Sequence, residues 1–156
     1  MFVDEADYLT FLHWLEQTVT RQGWLCHAFC LMSNHYHLLL ETFGPDLGAG
    51  MLLLNGSYAR YFNNRHGAVG HVFQGRYRAE SVTRDGHLLE TCRYIALNPV
   101  RAGLAARPFD WRWSSYRATA ALGRRPPFLF VDLVRELFGS SGGYAEFCNQ
   151  VAEQPG

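Results

Sequence analysis

Apolar and polar positions alternate along this chain with two distinct periods. Between Asp4 and Gly23 ("DEADYLTFLHWLEQTVTRQG") Tyr8, Phe11, Leu12 and Leu15 recur at helical spacing, behind a capping Asp4 and ahead of a terminating Gly23. "WLCHAFCLM" (24–32) then predicts a strand, "SN" (33–34) a two-residue turn, and "HYHLLLE" (35–41) the returning strand of a hairpin. "FGPDLGAG" is a breaker-rich link. A second helix is predicted from about Ala49 to Arg65, with Leu53, Tyr58, Tyr61 and Phe62 facing inward.

"HGAVGHVFQGRYRAESV" (66–82) predicts a glycine-punctuated loop and a short strand around Tyr77–Val82. "RDGHLLETCRYIALN" (84–98) predicts a third helix that ends at Pro99. "WRWSSYRATAAL" predicts a short helix with Ser114 or Ser115 near its cap, and two more helical stretches follow at 129–138 and 143–152. The order predicts an α+β fold, in which helices cover one face of a small antiparallel sheet. The expected division is a main domain over 1–121 and a helical extension over 122–156, the latter with no assigned function.

Two histidines interrupt this pattern. In a strand His35, His37, Leu39 and Glu41 share one face, while Tyr36, Leu38 and Leu40 belong in the core on the other. The two imidazoles then project together, about 7 Å apart at Cα, and can ligate one metal ion. On the third helix Tyr94 and Asn98 lie four apart, on one face. A carboxamide oxygen can complete a two-histidine site, and a phenol one turn away can attack a phosphate held there. Oxygen donation and open positions suit Mg²⁺ or Mn²⁺ better than a closed structural zinc site. Strand histidines with no ligand, a core tyrosine and a helix-stopping asparagine remain the simpler reading of each residue alone.

Charge changes the picture in one respect. The chain carries 14 arginines, 14 acids and no lysine, for a formal net charge of zero. Residues 60–125, however, hold twelve arginines against Glu80, Asp85, Glu90 and Asp110, a local balance of +8. Residues 1–59 compensate at −5 and 126–156 at −3. Arginine forks bind phosphate oxygens bidentately and stack on bases, so the central third predicts a nucleic-acid surface. In "HVFQGRYRA" (71–79) Arg76 and Arg78 are expected on phosphates and Phe73 inside; Arg60, Arg65 and Arg101 are further candidates. Trp111, Trp113 and Tyr116 are read as packing residues. The four cysteines form no CxxC pair, and no apolar run reaches the roughly 20 residues of a membrane helix, so a reduced cytoplasmic chain is expected.

"CLMSNHYHLLLET", "YFNNRHGAVGHVFQGRYRA" and "CRYIALNPVRAGL", in that order, resemble the single-tyrosine HUH transposases, and within them the IS200-like, REP-associated branch. The resemblance covers about residues 4–120. It implies a ferredoxin-like domain whose histidine strand binds a divalent cation, Mg²⁺ or Mn²⁺. It implies that a helical tyrosine attacks single-stranded DNA, leaving a 5′-phosphotyrosine and a free 3′-OH. On that likeness His35 and His37 correspond to the metal-binding histidines, Tyr94 to the nucleophile and Asn98 to the additional ligand. Hairpin or palindromic repeat DNA is the implied partner, with a homodimer as one assembly. Family members usually carry a strand before the first helix, whereas this sequence begins almost at that helix. Two rivals remain open: a single-strand binder of the same fold without catalysis, and a zinc protein using His35, His37 and His87 or Cys92.

Overall fold

The computed structural model describes residues 1–152. Helix α1 (Glu5–Gln22) begins where Asp4 accepts a hydrogen bond from the Asp7 backbone N–H. It ends in a Schellman motif: Gly23 sits at φ 65°, its N–H donates to Thr20 O, and the Trp24 N–H donates to Val19 O. Strand β1 (Leu25–Leu31) and strand β2 (Tyr36–Glu41) form an antiparallel hairpin. Helix α2 (Leu47–His66) follows, then helix α3 (Asp85–Arg101), a 3₁₀ turn at Pro108–Asp110, and helices α4 (Tyr116–Thr119), α5 (Asp132–Leu137) and α6 (Ser141–Ala152).

The sheet has two strands, not the four of a ferredoxin-like domain. Residues 77–82, where a strand was expected, adopt no regular structure. Only Val82 there is half-buried, so the segment has little apolar surface to gain from pairing. The outer edge of β1 is covered instead by later chain: the Leu31 N–H donates to Trp113 O, the Ser115 N–H to Phe29 O, and the Phe130 N–H to Cys26 O. The opposite edge, on β2, pairs with no strand among the described residues.

Helices flank both faces of the hairpin, which corrects the one-face expectation. Phe11, Leu15, Met51, Leu54 and Tyr58 from α1 and α2 pack on Phe29, Leu31, Tyr36, Leu38 and Leu40. On the other face Cys92, Ile95 and Ala96 of α3 pack on Ala28, Cys30 and Leu39, backed by Val134, Tyr144 and Cys148 of α5 and α6. The cause is legible in the strands: each reads as a nearly continuous apolar run, and such strands bury both faces. A bulge at His27 changes the facing of β1, so that Cys26 opposes Leu40 while Ala28 opposes Leu39.

Two further expectations shift. Helix α3 does not stop at Pro99 but continues through it to Arg101, and the Leu104 N–H then donates back to Pro99 O. On α2 the buried positions are Gly50, Met51, Leu54 and Tyr58, with Leu53 beside Trp14 of α1. Trp113 stacks on Tyr8 at 4.4 Å, the Trp111 indole N–H donates to Leu31 O, and Tyr116 is buried, so all three pack as expected.

Candidate functional site

The site grows from the hairpin turn. The Met32 N–H donates to His35 O across the turn, and the Phe2 N–H donates to Ser33 O from the amino-terminal side. Both ends of the turn are therefore fixed before β2 begins. From there His35 and His37 project on the α3 face, with ring centroids 4.9 Å apart. Their Nε2 atoms converge to 3.1 Å. Two imidazole ligands of one cation, each bonded at about 2.1 Å, stand about 3 Å apart, so the spacing of this pair suits a single ion. Burial, reinforced by the neighbouring His35, pushes the His37 imidazole below its ordinary pKa and favours the neutral, ligating form.

Tyr94 meets this pair from α3. Its ring lies edge-on to His37 with centroids 5.5 Å apart, and its residue surface is 46% exposed. The Arg101 guanidinium, two turns further along, sits 5.3 Å from the centre of the same ring. Tyr94 thus stands between an imidazole and a cation, open to solvent. Tyr36 is the contrasting case. Its hydroxyl donates to Asn55 Oδ1 at 2.7 Å, and burial pushes its pKa up to about 12. The middle residue of the HYH run is a core side chain.

Asn98 is half-buried on α3, and its Nδ2 donates to the Tyr94 backbone carbonyl at 3.1 Å. That bond fixes which end of the carboxamide faces the helix and leaves Oδ1 as the available acceptor. Asn34, read in the sequence only as a turn residue, contacts His35: its Oδ1 lies 2.7 Å from His35 Nδ1. Its place beside the histidines was the available signal. Cys92 is buried, its thiol pushed up to about 12 by desolvation, and His87 stands 3.8 Å from Glu80. Among the described residues no group of three or more His, Cys, Asp and Glu could hold a metal ion.

The arginines divide into two sets. Arg65, one of the candidates for a nucleic-acid surface, pairs with Asp4 and Asp7, each at 2.7 Å, and ties the end of α2 to the start of α1. Arg93, Arg107 and Arg112 close ion pairs with Glu90, Asp110 and Glu5. Arg60, Arg76, Arg78 and Arg101 are exposed, with no acid within 4.0 Å among the described residues. Phe73 turns inward as expected, against Tyr36 and Tyr58. Among the described residues no helix is long and apolar enough to cross a membrane.

No curated protein and no solved structure gives a significant match to this chain. A family model does, that of "Transposase IS200 like", over residues 1–98, which take in the hairpin, α2, the arginine loop and α3 as far as Asn98. With an extent of more than half the sequence, the match shows that the chain belongs to the IS200-like transposase family.

Proposed function

We propose that this chain is a metal-dependent endonuclease and strand transferase for single-stranded DNA, working through a 5′-phosphotyrosine on hairpin or palindromic repeat DNA. The observation that carries the reading is the meeting of exposed Tyr94 with the converging His35 and His37. His35, His37 and the Asn98 oxygen would hold the divalent ion. When bound, Mg²⁺ or Mn²⁺ supplies a positive charge that polarises the scissile phosphate and stabilises its extra charge in the transition state.

The chain's own residues do the rest. Arg76, Arg78 and Arg60 draw the strand's phosphates to the surface, and Arg101 holds charge beside the reacting phenol. Tyr94 Oη attacks phosphorus and gives up its proton. The P–O3′ bond breaks, and the departing oxygen takes up a proton to become a free 3′-OH. The phosphotyrosine conserves the energy of the broken ester, so a 3′-OH can reverse the step and rejoin strands with no nucleotide cofactor.

The test is incubation with end-labelled hairpin oligonucleotides and Mn²⁺, followed by a denaturing gel. A protein–DNA adduct is expected that disappears in Tyr94→Phe and on chelation. Strong binding of every hairpin, with no adduct from any of them, would favour the non-catalytic binder of the same fold.

A further inference from the structure

We infer that Asn34 is a positioning residue of the metal site, fixing His35 in the one tautomer that can ligate through Nε2. The inference rests on the reading of His35 and His37 as metal ligands and extends it to a residue outside the ligand set.

A carboxamide oxygen can only accept a hydrogen bond, so at 2.7 Å from Asn34 Oδ1 the nitrogen His35 Nδ1 must carry the proton. In a neutral ring His35 Nε2 is then a bare lone pair. That lone pair faces His37 Nε2 at 3.1 Å, and only His37 can supply the proton of that bond. The two histidines are therefore unequal. His35 is preset as a ligand, whereas His37 must move its proton to Nδ1 before its Nε2 can bind an ion. Hydrogen bonding of the outer nitrogen is the usual means by which proteins orient a metal-binding imidazole.

Asn34 is well placed to do this. It belongs to the two-residue turn held by Met32 N–H to His35 O and by Phe2 N–H to Ser33 O, so its backbone is fixed independently of the metal. An exposed turn asparagine also makes no core contact, and its replacement leaves the packing of both faces untouched.

The test uses the full chain and Mn²⁺ alone, with binding followed by calorimetry. Asn34→Ala is expected to weaken Mn²⁺ binding about 10–100-fold. Asn34→Asp, which keeps an acceptor oxygen, is expected to retain it. In the metal-free protein, ¹⁵N imidazole shifts should report the Nδ1–H tautomer at His35, and Asn34→Ala should lose it. A thermal midpoint unchanged in Asn34→Ala would separate positioning from folding. Wild-type affinity in Asn34→Ala, or an Nε2–H tautomer at His35 in the wild type, would overturn the inference. No Mn²⁺ binding by the wild type would overturn both it and the metal reading. Mn²⁺ binding that depends on Asn34, with no DNA adduct, would leave the inference standing and remove the strand-transfer reading.

Discussion

Asp7 has no exposed surface, yet it is a carboxylate serving four partners. Burial opposes its ionisation, but hydrogen bonds from the Val3 N–H, His66 and Arg65 outweigh that and hold its pKa below the ordinary value. Tyr61 donates to it as well. Its neighbour Asp4 is held at about 2, chiefly by the hydrogen bond from Arg65. Both carboxylates are thus lowered in the folded state, so their stabilisation is present above the unfolded value of 3.8 and disappears as pH falls through the folded one. The thermal midpoint is expected to drop steeply between about pH 4 and pH 2. Arg65→Ala should lower the midpoint at pH 7 and flatten that drop, as a pH series of unfolding curves would show. An equally steep drop in the variant would mean that Arg65 is not what holds the two acids. Sequence reasoning counted Arg65 only among the charges of the central third. It could not see that "DEAD" at one helix start lies beside the end of the other.

At the scale of elements, periodicity was a sound guide wherever an element buries one continuous face. The bounds of α1 and α2 came within a few residues, because Asp4, Gly23 and the apolar spacing determine them locally. Prediction failed where an element depends on its neighbour. Pro99 ends a helix only if nothing holds the next turn; here buried Pro99 continues α3, and its carbonyl accepts from Leu104 and Ala105. The expected strand at 77–82 has alternation but little to bury, and it stays irregular. One close approach is testable at this scale. A Cβ at Gly50 of α2 would overlap the Trp24 indole, which follows the α1 Schellman motif. Gly50→Ala is therefore expected to destabilise the fold by about 1–3 kcal/mol in denaturant titrations, despite the better helix propensity of alanine. A neutral or stabilising result would show that Trp24 can swing aside freely.

For the whole molecule the decisive property is the distribution of charge. The net charge is zero, but four of the twelve central arginines close ion pairs, whereas Arg76 and Arg78, exposed on the long α2–α3 loop, pair with no acid among the described residues. A phosphate contact made by each should release condensed counterions. The Arg76→Ala, Arg78→Ala double variant is expected to weaken single-strand binding uniformly across sequences. It should also flatten the slope of log affinity against log salt by about 0.7 for each arginine, measured by fluorescence anisotropy. An unchanged slope would place the strand on another surface. Tyr8, Tyr58, Tyr116 and Tyr144 are buried and Tyr36 is half-buried, with burial raising the pKa of each. Tyr94 is instead exposed beside the histidines.

The sequence by itself determined what is local: α1 with its caps, the course of α2, the hairpin, the shared face of His35 and His37, and the helical spacing of Tyr94 and Asn98. Each follows from backbone periodicity, which acts over a few residues. Tertiary structure alone decided which surfaces meet. Helices lie on both faces of the hairpin because both strands are nearly continuous apolar runs. Later chain covers the outer edge of β1, Arg65 becomes a clamp, and α3 delivers Tyr94 to His37 across more than fifty residues of sequence. Such encounters depend on how all the apolar surfaces are buried at once, and no window of sequence contains that information.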